Sequence, residues 1–254
     1  MSFIHGLQFL PSIQTCFIKT QYYHYKYHST ITSEQHSNNI EIRVCTNKTC
    51  RRQGSMVTLD TLLGIAPPHV SVSPSGCLGR CGAGPNLVVL PQAAMASHCG
   101  TPARAAQVMA HVCGDPDPDG NVRRNLDALA LRKRAEVELE DGHLSIAEAL
   151  FSQAIEAKPI GGIHIAYQGR AAVRLASGNF DGALEDANEA LVIAPHYAQA
   201  YISQGNAFLA MDELEAAENS YSMALQADPS VRRSKSFKSG VQLLQHKRSS
   251  GSVP

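Results

Sequence analysis

The sequence predicts an α/β unit followed by an all-α solenoid of three helical repeats and a capping helix. Three observations carry this. Residues 40–44, Ile40-Glu41-Ile42-Arg43-Val44, alternate apolar and polar as a half-buried strand does, and they run straight into Cys45. Pro159, Pro195 and Pro229 fall 36 and 34 residues apart, each directly behind an apolar helical stretch. Between the two regions lies Asp115-Pro116-Asp117-Pro118-Asp119-Gly120, a linker whose prolines oppose helix and whose acids keep it solvated.

In the α/β unit the strand at 40–44 is followed by a helix over 51–64, with Met56, Leu59, Leu62 and Leu63 at helical spacing. Gly64 and Pro67-Pro68 stop it. Val70-Ser71-Val72 is a second short strand, and Leu87-Val88-Val89-Leu90 a buried one. Pro102 opens a helix through Ala106, Met109 and Val112, and Gly114 follows it.

The solenoid is read by counting back from each proline. Ala147, Ala183 and Ala217 share one position, and Ala154, Ala190 and Ala224 another. Phe151, Ala187 and Tyr221 fill the large slot between them; Ala187 is the exception in size. Leu131, Tyr167 and Tyr201 anchor the first helices, and Ala135, Ala171 and Gly205 supply the small residue where two helices cross. This pattern resembles the tetratricopeptide repeat (TPR), in three copies over residues 128–161, 164–197 and 198–231, with two extra residues at Gly161-Gly162. Phe237, Val241 and Leu244 give the capping helix its apolar side. The expected domains are 1–39, a transit peptide or tail; 40–114, the α/β unit; 115–120, the linker; 121–231, the repeats; and 232–254, cap and tail.

Charge and composition exclude several classes. The 254 residues carry 22 Lys+Arg against 22 Asp+Glu, so no overall field favours nucleic acid or membrane. No apolar stretch reaches the roughly 18 residues of a spanning helix. Residues 1–39 hold a single acid, Glu34, and no Arg precedes Arg43. Such a leader reads as an organellar transit peptide, with the chloroplast expected and the mitochondrion as the alternative. There is no Gly-x-Ser-x-Gly, phosphate-binding glycine loop or His-Glu-x-x-His, so no enzyme is expected.

The chemistry concentrates in four of seven cysteines. Cys45 and Cys50 have four residues between them, Cys77 and Cys81 three, and the second pair sits among Gly76, Gly79, Gly82 and Gly84. Four thiolates in two short loops suit iron–sulfur or zinc chemistry, and glycines let backbone N–H groups approach sulfur. Paired disulfides or four unrelated core cysteines are the plainer readings. Cys16, Cys99 and Cys113 are scattered.

These loops resemble the ligand loops of the thioredoxin-like [2Fe–2S] ferredoxins, a module shared with the small subunit of NADH dehydrogenases. The family's order is strand, C-x4-C or a longer spacing, helix, strand, C-x3-C, Gly/Pro, strand. The resemblance covers about residues 40–114 and implies Cys45, Cys50, Cys77 and Cys81 as ligands of a [2Fe–2S] cluster, with zinc as the alternative. It implies one-electron transfer or redox sensing at a protein bound by the concave face of the repeats. Arg51, Arg52 and Arg80 would then be a rim for an acidic redox partner. The alternatives are an assembly or scaffold factor, for photosynthetic complexes if plastidic, or a zinc-stabilised adaptor. One TPR subclass clamps chaperone carboxylate tails with Lys, Asn and Arg. At the matching positions stand Arg132, Glu136, Gly169, Gln199 and Ser203, so carboxylate-clamp chaperone docking is not expected.

Overall fold

Alternation puts Ile42 and Val44 on one face of β1 (Ile40–Cys45), and both are fully buried. β1 lies between β2 (Val70–Ser75), parallel to it, and β3 (Leu87–Leu90), antiparallel. A fourth strand, β4 (Ala94–Ala96), pairs antiparallel with β3, giving the order β2-β1-β3-β4. Ile42 is opposite Val72 on one side and Val89 on the other. The computed structural model describes residues 40–251, which belong to one compact unit. The expected transit peptide at 1–39, and with it Cys16 and the organellar reading, lies outside the described residues.

Parallel pairing of β1 and β2 needs a crossover. Two helices supply it: α1 (Lys48–Arg52), capped by the Asn47 side chain on Lys48 N–H, and α2 (Ser55–Ile65). Leu59, Leu62 and Ile65 of α2 enter the core, but Met56 and Leu63 are 45% and 49% exposed. Helical spacing groups the three leucines and the methionine together; the side facing the sheet takes only part of that set. α3 (Pro102–Val112) starts at a proline behind Thr101, whose hydroxyl accepts from Arg104 N–H, and buries Ala106 and Met109.

α4 (Pro118–Glu140) begins inside the stretch expected as linker. Pro118 is at the first helical positions, where a missing N–H costs nothing, and Asp117 caps Gly120 N–H. The 23-residue helix serves two cores. Its Leu129 is buried with Ile42, Leu62 and Met109 of the α/β unit, while Ala128 and Ala135 belong to the first repeat.

The remaining helices pack as successive pairs: α4 with α5 (Leu144–Glu156), α6 (Ile163–Ala176) with α7 (Phe180–Ile193), and α8 (Ala198–Ala210) with α9 (Leu214–Ala227). Small residues at the crossings are sterically required. A Cβ on Gly205 would lie 2.8 Å from Tyr221 Cε1, and one on Gly169 would lie 2.4 Å from Phe151 Cε1. α10 (Lys235–Gly251) closes the array with Phe237 and Leu244 buried and Val241 packed beside them.

The α/β unit and the repeats meet at Arg132. This arginine of α4 is 6% exposed, and its Nη1 donates to Gly64 O at 3.1 Å and Gly162 O at 3.2 Å. Its Nε lies 3.4 Å from Glu136 Oε1 yet makes no hydrogen bond. Glycines make the approach possible: a Cβ on Gly161 would fall 1.8 Å from Ile65 O, and Gly162, at φ +74°, donates its N–H to Ala66 O. Lys133 also pairs with Asp60 of α2.

Beside this joint His164 is buried edge-on to Tyr197, ring centroids 4.9 Å apart, with Nδ1 unpartnered. Burial, reinforced by the Arg132 charge, pushes its pKa down to about 4. Folded His164 therefore stays neutral where the unfolded chain would bind a proton. Its contribution is present above the unfolded pKa near 6.5 and is lost as pH falls towards 4.

Two outcomes follow. Arg132→Ala leaves two buried carbonyls without their donor and should cost about 2–4 kcal/mol, read as a lower urea midpoint. The melting temperature should rise between pH 4 and pH 6.5, and His164→Gln should flatten that slope. An equal slope in both proteins would remove His164 as its source.

Candidate functional site

Two places carry chemistry, the cysteine loops at one end of the sheet and the first-helix face of the repeats. β1 delivers Cys45 and α1 holds Cys50; both thiols are buried. Cys77 and Cys81 sit beyond β2 on an exposed loop that ends in a 3-10 turn, Cys81–Ala83. Their sulfurs are 3.8 Å apart.

Backbone amides surround the buried pair. Burial opposes the Cys45 thiolate, but the N–H groups of Asn47 and Leu78 and contact with the Cys50 thiol outweigh it and lower the pKa. Burial raises that of Cys50, the Asn86 N–H offsetting it in part and the neighbouring Cys45 and Cys81 adding to it. Cys81 is raised chiefly by Cys77. Asn86, fully buried, ties the two loops together: its Nδ2 donates to Arg80 O at 2.6 Å and lies 4.0 Å from Cys50 Sγ. A Cβ on Gly84 would come within 2.9 Å of Cys50 Sγ, so this glycine is needed for loop closure.

Thiols with amides aimed at them have the donor chemistry of a metal or cluster site. The arrangement goes less far. Among the described residues no group of three or more His, Cys, Asp or Glu is placed to hold a metal ion. The expected iron–sulfur ferredoxin with electron transfer is thereby corrected. Spacing reported the local pairs, whereas a ligand set requires all four sulfurs to converge, and one pair is buried while the other faces solvent.

Cys99 is a core residue under the sheet and Cys113 is half-buried, where burial raises its pKa to about 11. Neither joins the loops.

On the repeats, first helices α6 and α8 pack against each other and Gln168 Nε2 donates to Ser203 Oγ across them at 3.3 Å. Gln199 lies one turn before Ser203 on α8, half-exposed. Asn206, one turn later, bonds Tyr221 and Ser236. Arg132, the cation at the clamp position, is committed to the joint. Sequence reasoning missed the ion network behind this face. Asp186 is buried and takes both Nε and Nη2 of Arg170, at 2.9 and 2.7 Å, and Arg174 Nη1 at 3.1 Å; Glu148 and Ser152 of α5 complete it. The small Ala187, which broke the repeat pattern, lies next to Asp186 in α7.

No protein-family model matches the chain. Three curated proteins match about a third of it: heat shock protein STI1 of Saccharomyces cerevisiae, 36% identical over 86 residues; the STIP1 homolog of Dictyostelium discoideum, 37% over 79; and the SGT1 homolog of Oryza sativa subsp. japonica, 33% over 88. These matches span 34%, 31% and 35% of this chain but only 14%, 14% and 23% of those proteins, so they speak for a module and not for a whole protein.

Three solved structures resemble part of the chain. The Sgt2 TPR domain from Aspergillus fumigatus is 27% identical over 49% of this chain and 80% of its own, with a TM-score of 0.44. The first TPR of Spaghetti (RPAP3) bound to the HSP90 peptide SRMEEVD is 21% identical over 49% and 94%, TM-score 0.43. The TPR2B domain of yeast Sti1 in complex with an Hsp70 peptide is 23% identical over 47% and 94%, TM-score 0.42.

The helical half is thus an array of packed helix pairs that is similar over part of its length to STI1 and its relatives, joined to a small four-stranded α/β unit. The expectation that carboxylate-clamp chaperone docking is excluded does not stand, since solved TPR domains that resemble part of this chain are seen with HSP90 and HSP70 peptides. No helix among the described residues is long and apolar enough to cross a membrane.

Proposed function

We propose that this chain is a non-catalytic adaptor of the co-chaperone kind, which holds the extended C-terminal tail of a chaperone along the first helices of its repeats. The observation that carries the reading is the Gln168–Ser203 hydrogen bond across α6 and α8. It puts the half-exposed Gln168 amide on the shared first-helix face, braced by the buried Ser203 hydroxyl, with half-exposed Gln199 one turn away on α8. A side-chain amide offers donor and acceptor together and so matches the N–H and C=O of an extended peptide. The stretch-wise likeness to heat shock protein STI1 supports a setting among heat shock proteins.

The test is titration of the full chain with a labelled peptide ending in EEVD, the ending of the peptides bound by Spaghetti. Saturable binding with a dissociation constant of about 1–100 μM is expected. Gln168→Ala with Gln199→Ala should weaken it about tenfold, or about 1.4 kcal/mol. No saturation, or no effect of the double variant, sinks the reading.

A second reading concerns the α/β unit, whose order of strand, C-x4-C, helix, strand, C-x3-C and strand agrees with a thioredoxin-like module. The described arrangement does not bring three ligands together, so zinc held by Cys45, Cys50, Cys77 and Cys81 would have to draw the exposed loop onto the buried pair, and one distance favours it. The 3.8 Å between Cys77 and Cys81 sulfurs equals the edge of a tetrahedron of thiolates about 2.3 Å from a central ion. Zinc would clip the exposed loop onto the buried pair and so stabilise the fold. About one zinc per chain, retained through gel filtration and lost in Cys77→Ser, is the expected result. A metal-free chain that gains no thermal stability from added zinc would refute it.

A further inference from the structure

The overall charge of zero conceals a split. Residues 40–114 hold six cations, Arg43, Lys48, Arg51, Arg52, Arg80 and Arg104, against two acids, Glu41 and Asp60. Residues 115–254 hold 14 cations against 19 acids. Both acids of the α/β unit are already engaged, Glu41 with Arg43 and Asp60 with Lys133. Among the described residues no ion pair involves Lys48, Arg51, Arg52 or Arg80. Lys48, Arg51 and Arg52 are exposed and, with Thr46 and Asn47, line an open depression of about 540 Å³. Arg80 belongs to the loop that Asn86 fastens beside Cys50, so a fourth cation stands in the neighbouring loop.

We propose that this depression is a second docking surface, which takes an acidic segment of a partner protein. Three cations on one short helix, with no internal carboxylate to satisfy them, attract a run of Asp or Glu at long range. The Asn47 side-chain NH2 adds a donor to receive its backbone, while the Asn47 oxygen caps Lys48 and the Thr46 hydroxyl donates to Ser75 O. A polypeptide is favoured over single-stranded nucleic acid because residues 40–114 contain no Phe, Tyr or Trp on which bases could stack. The inference does not depend on the chaperone-tail reading, which concerns α6 and α8.

The experiment uses the full chain and a labelled glutamate-rich peptide of about twelve residues, with an oligothymidylate of equal charge as the rival probe. The peptide should bind, and affinity should fall steeply between about 0.05 and 0.3 M salt. Arg51→Glu with Arg52→Glu should weaken it roughly tenfold or more with the melting temperature unchanged, and Arg51→Gln with Arg52→Gln should weaken it less. Gln168→Ala with Gln199→Ala should leave it untouched, which separates this surface from the groove. Three results overturn the proposal: tighter binding of the oligonucleotide, no effect of Arg51→Glu with Arg52→Glu, or loss of peptide binding instead in Arg232→Glu with Arg233→Glu.

Discussion

One buried guanidinium holds the molecule's two halves in register. Arg132 reaches from α4 to the carbonyl of Gly64 at the end of α2 and to that of Gly162 before α6. A cation removed from water is costly unless nearly all its donors are used. Its surroundings follow from that demand. Gly64, Gly161 and Gly162 lack side chains because any Cβ there would strike Leu129, Ile65 or Gly64 itself. His164 must stay neutral beside it, and Tyr197 is wrapped deeply enough that burial raises its pKa to about 12, despite the lowering effect of Arg132.

How much of this was readable from the sequence depends on distance along the chain. The repeats were legible because their determinants recur locally: Ala135, Ala171 and Gly205 are all fully or nearly fully buried at equivalent crossings. The strands and the cap were legible through period and proline for the same reason. Gly161-Gly162 was visible as an interruption but not interpretable, because its partner, Ile65, lies nearly a hundred residues earlier. Arg132 was visible only as the one cation among the clamp positions; nothing local showed that it is committed to backbone carbonyls. β4 escaped notice since Ala94-Met95-Ala96 has no strand-forming residue, and pairing with β3 alone defines it. At the cysteine loops the two pairs were plain in the spacing, whereas the burial of one and exposure of the other is set by the sheet and by Asn86.

Electrostatics shows the same contrast between sum and arrangement. Opposite charges balance over the chain but not within either part. The solenoid spends several of its charges internally, on the buried Asp186 with Arg170 and Arg174, and between α10 and the last repeat through Lys247–Asp212 and Arg248–Glu218. The α/β unit has almost no acids to spend, so its cations face water.

The shared helix α4 has a consequence for how the molecule comes apart. A free-standing repeat array can unzip from either end, because each repeat touches only its neighbours. Here the leading end is not free: the first turns of α4 lie in the α/β core, with Leu126 and Leu129 packed there, and Arg132 fastens the next turn. Fraying is therefore directional. It starts at α10, whose hold on α8 and α9 rests on Phe237, Val241 and Leu244, and it travels inward. The bonded joint at α4 is the last part to let go.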